Sequence, residues 1–215
     1  MKAIITGTTG YVGEGILRCC LEDSEVEQVL SVSRRPIGIT HPKLEEYIVS
    51  DFMQIPEGDE KLQGYDAVFF CAGISSVGAD MDYYKVVCHD IPLHFAGVVG
   101  PKEKMTFIYV SGAGTSDKAP MKWAKIKSST EKELLSMPFR RAFGYRPALM
   151  KPHPEQVAGE KMQKATISMY PLAKFFNYAN TIAEVERSMV VLSRAEDAFP
   201  KNYIGVKDIA ALSKL

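Results

Sequence analysis

The sequence predicts an α/β fold, a doubly wound parallel sheet followed by a short helical C-terminal region. Three observations predict it. Short β-rich runs alternate with longer stretches of helical spacing, the pattern of strand–helix–strand crossovers. The runs are nearly continuous in apolar residues rather than alternating, as strands covered on both faces require. Each run closes on glycine or small polar residues, and in such sheets ligands sit outside the carboxyl ends of the strands.

The elements follow in order. Residues 3–6 form a first strand. Residues 11–21 have helical spacing, with Val12, Ile16 and Cys20 on one stripe beside Leu17 and Leu21. Strands are read over 28–33, 46–49, 66–71, 106–110 and 141–145. Helices are read over 81–99, where Pro92 must kink the helix or start a new one, and over 123–135. From about Lys151 the chain reads as predominantly helical. The 215 residues suit one domain, 1–215, with 155–215 as a small helical cover.

Composition narrows the function. The 26 basic and 26 acidic residues cancel, so no net basic field exists to hold nucleic acid or an anionic membrane. No apolar run approaches the roughly 18 residues that span a bilayer, and no targeting leader precedes the first strand. Cys19, Cys20, Cys71 and Cys88 form no Cys-x-x-Cys pair and have no histidine at zinc spacing, so no metal is expected. Four reduced thiols point to a cytoplasmic protein.

The strongest local signal is Thr6-Gly7-Thr8-Thr9-Gly10-Tyr11-Val12-Gly13, directly after the first strand and opening the first helix. In that context Gly7 permits the tight turn, Gly10 lets backbone approach a pyrophosphate, and Gly13 lets helix pack close to strand. The helix N-terminus adds unpaired N–H groups and a partial positive charge. After the second strand, where a ribose-binding carboxylate would mark NAD, stand Arg34 and Arg35. A guanidinium fork matches a phosphate. NADP is therefore the expected cofactor, ahead of NAD.

Over residues 1 to about 155 the chain resembles the short-chain dehydrogenase/reductase superfamily, in its atypical, NAD-dependent epimerase/dehydratase-like branch, with a Rossmann-type sheet. The resemblance implies that Thr9, Tyr11 and Val12 join the glycines at the cofactor. It implies that Asp51 and Phe52 meet the adenine. Cys71, Ala72 and Gly73 match the loop lying along the cofactor, and Arg146-Pro147-Ala148 the loop near the nicotinamide, with Pro147 as a contact. Lys127 matches the family lysine that binds the cofactor ribose and lowers the pKa of a tyrosine four residues earlier, on the same helix face.

Here that earlier position holds Trp123. An indole N–H donates a hydrogen bond but exchanges no proton near neutrality, whereas acid–base catalysis needs a titratable group. Ser111 is the candidate catalytic hydroxyl alongside Lys127, although Gly112 stands where many relatives carry a second serine; Thr115 and Ser116 are fallbacks. A family asparagine is replaced around Cys88. Tyr83, Tyr84, Tyr145 and His153 are candidate substitute acids. The aromatic segment 168–178 is read as a lid or homodimer face, or as aromatics covering the sheet. With about 60 residues after the sheet, a nucleotide-sugar substrate is not expected. Two functions stay open: an NADP(H)-dependent oxidoreductase acting on an unknown small carbonyl or alcohol, and a non-catalytic NADP(H)-binding redox sensor or partner-binding protein.

Overall fold

A computed structural model describes residues 1–153, 160–194 and 199–215, with backbone alone for 160–166. Its centre is a seven-stranded parallel sheet built from β1 (Lys2–Thr6), β2 (Gln28–Ser33), β3 (Leu44–Ile48), β4 (Ala67–Phe70), β5 (Thr106–Val110), β6 (Arg141–Tyr145) and β9 (Tyr203–Ile204). The strands run in the order β3-β2-β1-β4-β5-β6-β9. Two further strands, β7 (Leu149–Lys151) and β8 (Ala179–Thr181), pair in parallel as a separate ribbon. The order reverses between β1 and β4, which opens a crevice at their carboxyl ends.

Why the strands form is visible in their burial. β4 (AVFF) is wholly buried, and β1, β2 and β5 are buried at every position but one end residue. Only helices on both faces can achieve this. α1 (Tyr11–Glu22), α6 (Ile182–Arg194) and α7 (Val206–Leu212) cover one face, packing Ile16, Leu17, Cys20, Val185, Met189 and Ile209 against Ile5, Phe69, Ile108 and Phe143. α3 (Ile91–Val98) and α4 (Lys122–Ser136) cover the other, where Phe95 and Leu134 meet Val68, Phe70, Phe107 and Tyr109. Each fully buried aliphatic or aromatic side chain contributes about 1.5–3 kcal/mol. The α1 stripe is the one its four-residue spacing predicts.

Three elements depart from the sequence reading. The helix expected over 81–99 is α2 (Met81–Lys85), one π-helical turn (Val86–Asp90) and α3, continuous in right-handed helical backbone, so that Pro92, which has no N–H, offers no donor to the Cys88 carbonyl four residues earlier. β3 (LEEYI) begins two residues earlier than read and is half exposed, because it is the sheet edge. The last third is not simply helical. Beside α5 (Glu160–Phe175), α6 and α7 it contributes β7, β8 and β9, each two or three residues long and too short to show a period.

The α1–α6 contact holds a buried carboxylate. Glu186 is 6% exposed, faces His153 Nε2 at 3.3 Å through one oxygen, and has no hydrogen-bond partner for the other among the described residues. Burial pushes its carboxyl above the usual range, against the opposing pull of His153. A carboxyl raised in the folded state contributes stability that is full below the unfolded carboxyl's pKa and lost as pH rises through the folded one. Glu186→Gln removes that loss. In urea titrations its stability relative to wild type is expected to improve from about pH 4 to about pH 7. Parallel pH profiles for the two proteins would contradict this.

Candidate functional site

The site grows from the first strand–helix turn. Gly7 adopts φ +70°, and a Cβ there would meet the Ala72 backbone nitrogen at 2.7 Å. A Cβ on Gly13 would lie 2.1 Å from the Gly7 carbonyl oxygen. β1, α1 and the loop after β4 therefore converge where no side chain fits. The Gly10 N–H closes the turn onto the Gly7 carbonyl at 2.9 Å, and the Ala72 N–H donates to Thr6 Oγ1 at 3.2 Å. Gly10 is the N-cap of α1 and no side chain caps it, so the positive end of the helix dipole faces the crevice without a protein acceptor from a cap.

Around this turn the structure gathers one groove of about 280 Å³, lined by Gly7, Thr9, Gly10, Ser33, Arg34, Arg35, Phe52, Cys71, Ala72 and Gly73. These come from the carboxyl ends of β1, β2 and β4 and the turn after β3. Nine of the ten are residues that the sequence singles out; Ser33, the tenth, ends β2 and ties the arginine turn down by donating Oγ–H to the Arg35 carbonyl at 2.6 Å. Both arginine side chains are exposed at the groove's end. Asp51 lies just outside, its carboxylate accepting from the Met53 N–H at 2.9 Å, which places Phe52 inward. Tyr11 and Val12 are half-buried on α1, with Tyr11 Oη donating to the Met150 carbonyl at 2.8 Å. The Cys71 thiol is pushed well up by burial, so it stays protonated.

Beyond the groove, β5, α4 and β6 form the second half of the crevice. The loop after β5 is tied to the loop after β6 by the Ala113 N–H donating to the Pro147 carbonyl at 2.8 Å. Trp123, in the first turn of α4, lies half-buried against Gly114, whose Cβ, if present, would touch the indole at 3.6 Å. One turn on, Lys127 Nζ donates to the Ser111 carbonyl at 2.6 Å and the Val110 carbonyl at 3.3 Å. Burial lowers its pKa, with Glu131 pulling the other way.

The structure uses the Ser111 hydroxyl elsewhere: it donates to Glu131 Oε1 at 2.5 Å and to the Tyr145 carbonyl at 3.2 Å, behind the strand end. Of the fallbacks, Thr115 is buried with no hydrogen-bond partner for its Oγ1 among the described residues, and Ser116 Oγ accepts from the Lys118 N–H. Among the substitute acids, Tyr84 and Tyr145 are buried, with phenols pushed up by burial, and Tyr145 shares a hydrogen bond with Ser188. Tyr83 is on the outer surface, and His153 lies on the α1–α6 side with Glu186. The Cys88 carbonyl, four residues before Pro92 and so without an N–H from that residue, accepts from Tyr109 Oη at 2.6 Å and Thr130 Oγ1 at 2.9 Å. Sequence reading passed over Glu131. Its signal was present: Trp123, Lys127 and Glu131 repeat every four residues on one face of α4.

In the segment 168–178, Met169, Leu172, Phe175, Phe176 and Tyr178 are all more than half exposed. The reading in which these aromatics cover the sheet is thus corrected; that face is covered by α6 and α7 instead.

With this geometry in place, the comparisons take their meaning. The profile of the NAD dependent epimerase/dehydratase family matches residues 3–133, and the chain belongs to that family. Among solved structures it is similar to UDP-glucuronic acid 4-epimerase from Bacillus cereus, in complex with NAD, with a TM-score of 0.69 at 13% identity over 96% of this chain and 76% of that one. A short chain dehydrogenase family protein from Francisella tularensis gives 0.66 at 12% identity, over 97% and 98%. Both likenesses establish the fold. Curated relatives include Protein FMP52, mitochondrial, of Debaryomyces hansenii, 27% identical over 76% of this chain and 74% of its own length. Protein FMP52-1, mitochondrial, of Scheffersomyces stipitis is 23% identical over 94% and 91%. These names overturn the cytoplasmic expectation. Cysteines without a disulfide partner do not by themselves distinguish the cytosol from other compartments.

The clash at Gly13 gives a direct test of the turn. Gly13→Ala drives a methyl into backbone that cannot swing aside, and is expected to destabilise the protein by about 1–3 kcal/mol in denaturant titrations. Wild-type stability in that variant would mean that α1 stands further from β1.

Proposed function

We propose that this protein binds NADP(H) in the groove at the β1–β4 switch point, as a dinucleotide-responsive binding protein and not through the phenol-dependent reaction of its wider superfamily. The observation that carries the binding reading is the single groove joining the glycine turn to Arg34 and Arg35. The residues fit the group: the Gly7–Gly13 approach leaves room for a pyrophosphate over the helix N-terminus, Phe52 offers an apolar wall to an adenine, and the two guanidiniums suit a ribose 2′-phosphate. Lys127, on α4 beside the carboxyl end of β5, is the residue proposed to hold the nicotinamide ribose. The relatives' names favour a mitochondrial setting.

The absence of a phenol from the working face of α4 supports a non-catalytic role. Trp123 fills the position, and the phenols of Tyr84, Tyr109 and Tyr145 are buried and pushed upward. One observation favours the second reading, an oxidoreductase for a small carbonyl or alcohol: Lys127 is retained, and its lowered pKa brings Nζ nearer to proton exchange at working pH. Bound NADPH would supply hydride, and Lys127 would then have to deliver the proton at Nζ.

Calorimetry is expected to give tighter binding of NADPH than NADH by about tenfold or more, the worth of charge-assisted hydrogen bonds. Arg34→Ala with Arg35→Ala is expected to erase that preference while leaving NADH binding nearly unchanged. Equal affinities in the wild type would overturn the NADP assignment.

Trp123 is the chain's only tryptophan. Its emission is expected to fall on saturation with NADPH, and unchanged emission would place the indole away from the cofactor. On the non-catalytic reading the wild type leaves NADPH unoxidised across a panel of aldehydes, ketones and quinones, and Trp123→Tyr, which restores a phenol beside Lys127, creates weak reductase activity. Turnover by the wild type, changed only modestly by that substitution, would establish the oxidoreductase reading instead.

A further inference from the structure

Helix α4 grips the end of β5 at two points. Lys127 Nζ holds the Ser111 carbonyl at 2.6 Å, and Glu131, one turn later, accepts the Ser111 hydroxyl at 2.5 Å. Glu131 is 1% exposed, and a carboxylate that deep requires compensation. Arg146, the residue after β6, supplies it through a two-pronged contact, Nε to Oε1 at 2.9 Å and Nη2 to Oε2 at 2.5 Å. The guanidinium is itself held over the Tyr203 ring at 4.1 Å. The carboxylate reaches this place only because β6 carries Gly144, where a Cβ would stand 2.5 Å from Oε1. The ends of β5, β6 and β9 thus converge through Arg146 and Glu131 on one residue, Ser111. The opposite end of that residue, its carbonyl, fixes the ammonium of Lys127.

We propose that Glu131, clamped by Arg146, is a positioning residue. Through Ser111 it sets where Lys127 Nζ stands at the dinucleotide site, and the Ser111 hydroxyl serves this linkage in place of substrate. The assignment rests on the NADP(H) reading above. It separates two functions within α4: Trp123 faces the loop after β5, while Lys127 and Glu131 hold the strand end, Nζ through the Ser111 carbonyl and Glu131 through the Ser111 hydroxyl. The linkage is neutral in sum at Arg146–Glu131, so its effect on the cofactor travels through the Lys127 ammonium and not through long-range charge.

The test is a double-mutant cycle on NADPH binding, read by calorimetry with full-length protein. Ser111→Ala removes the hydroxyl link and leaves the buried ion pair intact. In the Lys127 background it is expected to weaken NADPH about fivefold, a coupling of ordinary size for linked neighbours. In a Lys127→Met background it is expected to change nothing. Ser111→Thr, which keeps the hydroxyl, should bind as the wild type does. Glu131→Gln strands the Arg146 charge and threatens folding; Glu131→Met with Arg146→Met removes both charges together and should reproduce the Ser111→Ala loss, again only when Lys127 is present. NADH should lose affinity by the same factor, since the linkage addresses the end of the dinucleotide that both cofactors share. Equal losses with and without Lys127, or no loss at all, overturn the positioning role while leaving NADPH binding in place. A wild type that binds no NADPH overturns the functional reading itself.

Discussion

The close approach of Gly13 to the Gly7 carbonyl is the contact on which the rest of this architecture depends. It brings the first turn of α1 against the end of β1, and the left-handed turn at Gly7 presses β1's end onto the loop after β4. Moving α1 outward by the width of a methyl would also unseat Ile16, Leu17 and Cys20 from the sheet face they cover with α6. The uncapped helix terminus at the crevice and the hydrophobic core on that face are therefore one geometric requirement. Cavity and packing energies are steep functions of such distances, which is why the shape of the crevice and the packing of the core are decided at the same two glycines.

The opposite half of the crevice is organised by electrostatics. Burying Glu131 is unfavourable alone, and the Arg146 fork with the Ser111 hydroxyl offsets the cost. A buried pair of this kind adds little net stability compared with apolar side chains of equal size, but it admits few alternative arrangements. Here it registers three strand ends against one helix. Lys127 shares that registration, since its ammonium is held by the carbonyls at the same strand end. Its lowered pKa follows from burial, and the partial rescue by Glu131 is a consequence of the same clustering.

Legibility in the sequence follows the length scale of each signal. The glycine turn, the arginine pair and the Cys71–Gly73 loop were readable because each is a local departure with one physical purpose, and the structure brings them into one groove. The α1 stripe was readable because twelve residues are enough for a helical period to show. β7, β8 and β9 were not, since two or three residues carry no period and their pairing is decided by distant segments. Ser111 was legible as a residue, but the partner of its hydroxyl was not. Its position after β5 is fixed by sequence, while the direction of its hydroxyl depends on Glu131, twenty residues away, and on the absence of a side chain at Gly144.

The Trp123 substitution makes sense against this division of labour. A phenol at that position would need a neighbouring ammonium to tune it and a free hydroxyl to share its proton. The ammonium is present, but the hydroxyl that would complete such a group is bonded to a buried carboxylate on the far side of the strand. The indole stands in that place half-buried, with room for no more than a methyl between it and the Gly114 backbone. The crevice thus has two separable halves in this chain. One is built around backbone geometry and two exposed guanidiniums at the carboxyl ends of β1, β2 and β4. In the other, Ser111, Glu131 and Arg146 hold the strand ends together.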